Sequence, residues 1–432
     1  MNRQMSGKAM LEELKARGLV DQITHEEALT EALATRSVSM YCGVDPTADS
    51  IHVGHLLPFL TLARLQKAGH RPVILVGGAT GMIGDPSGRD SERSLLTLEQ
   101  VQINAEAIRK QVSRFVSFEG ENAAIMVNNI DWIGSLTYIE WLRDVGKYFT
   151  VNYMTGKESV RRRLEDREQG ISYTEFSYML LQAFDYYHLN KEHGVSLQIG
   201  GSDQWGNITA GIELIRKRGG SDAYGMTLPL LTTSAGEKFG KSAGNAVWLD
   251  PERTSPYELY QFFFRSEDAD VERFLLCFSM KPVEEIKAIV AEHNEAPHKR
   301  LAQKALAEEV TELIHGPEGL ARAQQASAIL FGSEIEGLSD KELASIFADV
   351  PAADLDRSRL EEGYPLFELL ADSGLYPSRG EARRALKAGG VYVNNRRAEG
   401  EAQVIKLDDL ASETMLVLRK GKRNYLLARF SA

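Results

Sequence analysis

Residues 41–56, YCGVDPTADSIHVGHL, constrain this chain more than any other stretch. Residues 38–44 read as a strand, Asp45-Pro46-Thr47 as a turn, and His52-Val53-Gly54-His55 as the mouth of a helix. Helical patterning follows over residues 56–67, and 72–77 read as the next strand. Such a strand–helix–strand unit favours a parallel sheet with right-handed crossovers. A second unit begins with the strand 195–199, a glycine turn and the helix 207–218. The mostly helical stretch 95–188 between them reads as an insertion in the sheet. Pro58 lacks an N–H, so its helix is predicted to start near residues 54–57, with both histidines at the opening.

A helix N-terminus offers unpaired N–H groups and a positive dipole end, which suits phosphate. Two imidazoles there can add hydrogen-bond donors, and Gly54 lets a ligand approach the backbone. The bland alternative is that both histidines merely cap or pack. A zinc site fits less well, because helical zinc histidines usually stand four apart with a carboxylate nearby. Further along, Lys238-Phe239-Gly240-Lys241-Ser242 lies in the Ser-, Thr-, Gly- and Lys-rich stretch 232–245. An isolated lysine pair would read as a solvated turn. Near the end of an α/β half that already carries a phosphate-type helix start, it reads as a mobile clamp for a polyphosphate.

Ser172 and Glu175 have capping-box spacing, predicting a helix over 174–187. Most of it is apolar, yet Tyr178, Gln182 and Asp185 recur at helical spacing and form one polar stripe. The remaining faces are too apolar for an edge helix, so the stripe is expected to line a pocket. A buried aspartate needs a partner. After residue 250 strand signals fade, Ser255-Pro256 opens a helix, and helical patterns run on through 301–314. Residues 337–364 are polar, acidic and poorly periodic, and read as a linker.

Charge separates the remainder. The chain carries 50 basic and 61 acidic residues, a net of −11, which excludes a generally basic nucleic-acid binder. Residues 365–432 hold 12 basic against 8 acidic residues, a net of +4; residues 1–364 hold 38 against 53, a net of −15. The tail is therefore a separate basic module. Ser378 and Glu381 predict a helix over 379–388 that places Arg379, Arg383 and Lys387 on one face beside Arg384. A strand is expected at 391–393 and a hairpin over 416–429 around Lys420-Gly421-Lys422. Two cysteines, Cys42 and Cys277, are too few for a disulfide scaffold or zinc cage, and no apolar run approaches ~20 residues. A reducing cytoplasm with no membrane span is expected.

The pair HVGH and KFGKS resembles the two signature motifs of class I aminoacyl-tRNA synthetases. Together with LVGGATGMIGDPSGR, VNYM, TEFSYMLLQAFDYY and LQIGGSDQWGNITAG, the chain resembles the bacterial tyrosyl-tRNA synthetase family over nearly its whole length. The resemblance implies a Rossmann-like parallel-sheet catalytic domain with a helical connecting insertion over 1–235. It further implies a clamp loop with a helical tRNA-binding domain over 236–336, and a small α+β RNA-binding domain over 365–432 similar to a small-subunit ribosomal protein.

The implied activity joins tyrosine to ATP as tyrosyl-adenylate, releasing pyrophosphate, and then transfers tyrosine to its tRNA. Thr47, His52, His55, Lys238, Lys241 and Ser242 would act on the phosphates, and Arg89 and Arg93 would add charge. Tyr41 and Asp185 would bind the phenolic hydroxyl, with Asp85, Tyr178 and Gln182 at the ammonium and Gln198 beside the substrate. Gly43, Asp45, Pro46, Gly54, Gly201, Asp203, Gln204 and Lys241 would hold ATP, with Asp203 at the ribose. Magnesium would travel on the ATP phosphates, with no protein metal cage. Arg379, Arg383, Arg384 and Lys387 would grip tRNA backbone, and the region 115–179 would form a homodimer. The competing readings are a tryptophanyl-tRNA synthetase, another nucleotidyltransferase with an H-x-G-H helix, and an RNA-binding protein on an inactive scaffold.

Overall fold

The computed structural model describes residues 7–87, 96–165, 170–242, 245–330, 332–335, 337–348, 350–421 and 424–431. It divides into two compact units: Met1–Asp250 with Phe262–Ile314, and Pro251–Gln261 with His315–Ala432.

The first unit is built on a six-stranded sheet. Its strands are β1 (Gln22–Ile23), β2 (Ser39–Val44), β3 (Arg71–Val76), β4 (Ile125–Asn128), β5 (Val195–Gly201) and β6 (Tyr224–Leu228). The order is β1-β6-β5-β2-β3-β4, parallel throughout except for the antiparallel edge pair β1/β6. β3 and β5 are almost continuously buried, as strands covered on both faces must be, and β3 is apolar after Arg71. The helix Leu56–Lys67 starts behind a short 3-10 turn, Val53–His55, with Pro58 in its first turn as expected.

Two expectations change here. The stretch 95–188 is not wholly outside the sheet, because β4 lies within it and pairs with β3. Its four residues, IMVN, are too short a run to carry a strand signal against the helices around them. The helical region expected as a body of its own over 236–336 also divides differently. The helix Asp268–Phe278 packs against Leu56–Lys67, and two buried arginines join it to the sheet-bearing part. Arg64 donates to the carbonyls of Cys277 and Ser279 at 2.8 Å, and Arg17 donates to those of Ser279 at 3.2 Å and Lys281 at 2.5 Å. Cations on the orphan carbonyls of a helix C-terminus replace the water those groups would otherwise need.

The helix Tyr173–His193 extends past the expected end to an αL glycine, Gly194. Ser172 accepts from the Glu175 N–H as the capping box requires, while the Glu175 carboxylate accepts from the two terminal guanidinium nitrogens of buried Arg163, at 3.1 and 2.9 Å.

In the second unit, a five-stranded sheet and the helices Leu366–Asp372 and Arg379–Lys387 enclose a core that includes Leu366, Leu386, Leu416 and Phe430. The expected linker 337–364 belongs to this unit. Ser339 and Glu342 form a complete capping box on the helix Asp340–Ile346. The strand Ala352–Asp356 pairs in parallel with Asn424–Ser431, and Leu360 and Tyr364 enter the core. The acidic composition concealed a strand that turns Asp354 and Asp356 outward. The hairpin Met415–Lys420/Asn424–Ser431 forms as expected; Lys422 lies outside the described residues. No described helix is long and apolar enough to cross a membrane.

Candidate active site

The sheet order reverses between β2 and β5, and a crevice at the carboxyl ends of such strands is where open α/β sheets bind ligands. Tyr41 on β2 and Gln198 on β5 are register partners across that point. Both side chains are buried, and both Tyr41 Oη and Gln198 Oε1 lack a hydrogen-bond partner. Buried polar atoms are nearly always paired, so two orphans side by side at a switch point mark a place for a polar ligand.

The stripe predicted on the long helix faces this crevice. Asp185 is 1% exposed, and its carboxylate receives Asn129 Nδ2 at 2.9 Å and Trp132 Nε1 at 2.8 Å. The carboxyl keeps further hydrogen-bonding capacity for a ligand. Tyr178 donates to Asp45 Oδ2 at 3.1 Å, and Thr80 donates to Asp45 Oδ1 at 2.8 Å. Asn129 also donates to Thr80 Oγ1 at 3.0 Å, so Asp45, Thr80, Asn129 and Asp185 form one chain of hydrogen bonds. Asp45, expected with ATP, thus also joins the network around Asp185. Half-buried Gln182 lies on the same helix.

Sequence reasoning missed Thr80, Asn129 and Trp132. Their signal was positional: Thr80 follows the end of β3, and Asn129 and Trp132 follow the end of β4. With β4 unrecognised, nothing placed Asn129 and Trp132 at a strand's carboxyl end.

Burial pushes the Asp185 carboxyl up to about 8, against the pull of its two donors. Tyr41 and Tyr178 are also raised by burial, Tyr41 further by the neighbouring Asp185. The native protein therefore holds a proton on Asp185 that the unfolded chain releases near pH 4. Stability from this residue falls as pH rises from about 4 to about 8 and then levels. Asp185→Asn removes that titration, so its melting temperature relative to wild type should rise across the same window. Parallel pH curves for the two proteins would refute the assignment.

Beside the turn that follows β5, Asp85 is buried and accepts from Ser87 N at 2.9 Å and Gln204 Nε2 at 2.8 Å. Burial raises its pKa, opposed by those bonds. Gln204 also reaches Asp203 at 3.4 Å, and Asn207 donates to Gln204 Oε1 at 3.1 Å. Gly201 precedes this turn at the end of β5, and Gly43 lies near the end of β2.

At the helix mouth, Gly54 N donates to His52 Nδ1 at 3.1 Å, and the two imidazoles stack at 3.9 Å. Because Nδ1 accepts, the neutral His52 ring carries its proton on Nε2. His52 caps the helix, and capping through Nδ1 does not preclude a role for the other nitrogen. A Cβ on Gly54 would come within 2.8 Å of the His52 ring. Thr47 is exposed at the preceding turn, and Pro46 is buried with its carbonyl bound by Asn104.

The clamp segment lies against this mouth. Val53 N donates to the Val247 carbonyl, Leu249 N to that of Ile51, and His52 bridges Trp248. Gly240, at φ +95°, would bring a Cβ within 3.3 Å of the Gly54 nitrogen. Phe239 is anchored among Phe262, Phe263, Phe274 and Phe278. Lys238 beside it is exposed. Lys241 and Ser242 are described by their backbone alone, in a short antiparallel pair with Asn245–Ala246; Arg89 and Arg93 lie outside the described residues. Among the described residues no cluster of His, Cys, Asp and Glu could hold a metal ion.

In the second unit, Ser378 caps the helix Arg379–Lys387 as expected. Its basic face is partly neutralised: Arg379 pairs with Glu368 at 3.3 Å, and Arg383 and Lys387 pair with Glu401 at 3.4 and 3.0 Å. Such exposed pairs are weak and can be exchanged for phosphate. Arg384 is exposed on the same helix.

The family model for class I tRNA synthetases (W and Y) matches residues 33–332, and that for the C-terminal domain of tyrosine–tRNA ligases matches 342–428. The chain is 50% identical to the tyrosine–tRNA ligase of Rhodopirellula baltica over 98% of its own length and 96% of the relative's. It is 49% identical to that of Streptococcus mutans over 98% and 100%. A C-terminally truncated mitochondrial tyrosyl-tRNA synthetase of Aspergillus nidulans superposes with a TM-score of 0.67 at 35% identity, covering 74% of this chain and 94% of that one. A tyrosyl-tRNA synthetase of Archaeoglobus fulgidus, solved with L-tyrosine, shares the fold at a TM-score of 0.54 and 20% identity, covering 73% and 99%.

Proposed function

Because the chain belongs to the class I tRNA synthetases, in their tyrosine–tRNA ligase branch, we propose how its residues divide the work of that reaction. The protein is a tyrosine–tRNA ligase that uses ATP: it activates tyrosine and transfers it to tRNA. Tyrosine enters the crevice between β2 and β5. Its phenolic hydroxyl meets Tyr41 Oη and the Asp185 carboxylate, its ammonium meets Asp85, Tyr178 and Gln182, and Gln198 lies alongside. The orphaned Tyr41 hydroxyl at the switch point carries this reading. Phenylalanine would leave the Tyr41 hydroxyl unpaired and offer Asp185 no hydroxyl beside its Asn129 and Trp132 donors, and its rejection by this enzyme family is itself the standard illustration of that penalty.

ATP lies across Gly43, Asp45, Pro46 and Gly54, with its ribose at Gly201, Asp203 and Gln204. The tyrosine carboxylate attacks the α-phosphate, and no protein nucleophile is required. Catalysis comes from positioning and from donors aimed at charge developing on the phosphates. Thr47, the His52 Nε2–H and His55 serve one side. Lys238, Lys241 and Ser242 serve the other, from a segment held on the helix mouth. Magnesium accompanies the phosphates. The basic helix with Arg379, Arg383, Arg384 and Lys387 takes tRNA backbone through salt-sensitive contacts.

A homodimer through the region 115–179 is supported by its exposed apolar side chains, Tyr138, Ile139, Leu142, Val151, Leu164 and Tyr173. Two free buried thiols suit a reducing cytoplasm. The test is amino-acid-dependent pyrophosphate exchange by wild type and Asp185→Asn. Wild type should exchange with tyrosine, and the variant should lose about 10²-fold or more of its preference over phenylalanine. Exchange with tryptophan, or an unchanged preference in Asp185→Asn, would overturn the pocket assignment.

A further inference from the structure

The tyrosine pocket has a support behind it that the reaction does not require by chemistry. Trp132, whose indole N–H holds Asp185, sits in a helix of only four residues, Ile130–Ile133. So short a helix cannot hold a large side chain rigidly by itself. The indole is instead bracketed by two residues of one neighbouring helix. Its edge donates to Asp185, and its face lies against the imidazole of His188, with ring centroids 4.3 Å apart and planes inclined by 14°. Asp185 and His188 stand three residues apart, one turn of helix, so both project toward the same neighbour. One indole thus has its hydrogen bond set by one turn and its plane set by the next.

We propose that His188 is a specificity-positioning residue: by stacking on Trp132 it fixes the direction of the indole N–H, and with it the Asp185 carboxylate that selects tyrosine. The proposal rests on the reading of Asp185 as the residue that meets the phenolic hydroxyl. His188 itself touches no substrate. It also lines a cavity of about 200 Å3, together with Leu136, Phe184, Tyr187 and Arg218. Without the imidazole, the indole face would border that space and could tilt into it. The Trp132 bond to Asp185 would lengthen or bend, while the Asn129 bond, from the end of β4, would stay. The carboxylate would then be held on one oxygen only and free to turn. Any flat ring at position 188 should maintain the stack; a small aliphatic side chain should not.

The experiment is pyrophosphate exchange with the full-length enzyme, varying tyrosine, phenylalanine and ATP separately, for wild type, His188→Ala, His188→Phe and Asp185→Asn. For His188→Ala the tyrosine KM should rise about threefold to tenfold, with a similar loss of discrimination against phenylalanine. Its kcat and ATP KM should stay within about twofold of wild type. His188→Phe should restore the tyrosine KM. An unchanged tyrosine KM in His188→Ala, with Asp185→Asn impaired, overturns the inference and leaves the pocket assignment intact. An unimpaired Asp185→Asn overturns the pocket assignment beneath it. Equal damage in His188→Ala and His188→Phe, or a joint loss in kcat, ATP KM and melting temperature, reduces His188 to a packing residue and also overturns the inference.

Discussion

His52→Ala should lower kcat for tyrosine-dependent pyrophosphate exchange by about 10²-fold to 10³-fold, the loss typical of a preorganised donor to developing charge. The tyrosine KM should stay within about twofold, since the proposed division of the site gives His52 to the phosphates and not to the groups around Tyr41 and Asp185. The prediction follows from the ring's place at the helix mouth and its tautomer. Gly54 N–H donates to His52 Nδ1, so the neutral ring carries its proton on Nε2. A ring that served only as a helix cap would cost about 1 kcal/mol of stability on removal and leave kcat alone. Steady-state exchange kinetics beside a thermal melt separate the two outcomes. A variant with normal kcat and a lowered melting temperature would return His52 to the role of a cap.

Removing residues 337–432 should abolish tRNA charging, by about 100-fold or more at moderate salt, while amino-acid activation persists. The two reactions part because the residues assigned to activation lie within Met1–Asp250, whereas the basic helix Arg379–Lys387 lies in the other unit. Where the cut falls matters. The cut at 337 bares Tyr257, Ala326 and Ile329, which share a core with Val417, Tyr425 and Leu427, whereas a cut immediately before residue 365 would in addition leave the strand Ala352–Asp356 without its partner Asn424–Ser431, and Leu360 and Tyr364 without their core. Such a protein would expose apolar surface and an unpaired strand edge, and should aggregate. Measuring exchange and charging on the same preparation tests the division. Loss of both together, from a soluble truncated protein, would show that the division between activation and tRNA binding is misplaced.

Much of the catalytic half is legible in the residue order because its signals are local. The strand–turn–helix through His52 and His55 needs only a turn tripeptide, a proline and an apolar run. The stripe of Tyr178, Gln182 and Asp185 needs only the helical period. What escaped was whatever depends on distant neighbours. Ile125–Asn128 becomes a strand because β3 lies beside it, and its four residues carry no periodicity of their own. Thr80, Asn129 and Trp132 acquire meaning only through the Asp45 and Asp185 carboxylates. The stretch 337–364 looked like a linker because polar side chains face outward from its strand, although the Ser339/Glu342 box was visible in its spacing. The union of the helix Asp268–Phe278 with the catalytic unit rests on Arg17 and Arg64, which the sequence presents as ordinary charged residues.

The backbone ties between the helix mouth and the clamp segment also have a consequence for how the molecule is made. Asp250 N donates to Ser50 Oγ across 200 residues of chain, next to the Val53–Val247 and Leu249–Ile51 bonds. Contacts so distant in sequence are among the last to form, because the intervening chain must be ordered before they are rewarded. A nascent chain that has passed Gln198 already contains Tyr41, Asp185 and Gln198, proposed for the amino acid, but not the helix Trp205–Lys217 on which the helix of Asp185 packs, nor the strip that bonds the His52 segment. The site is therefore assembled in stages, with the seam between the helix mouth and the segment after Gly240 the last part to be synthesised.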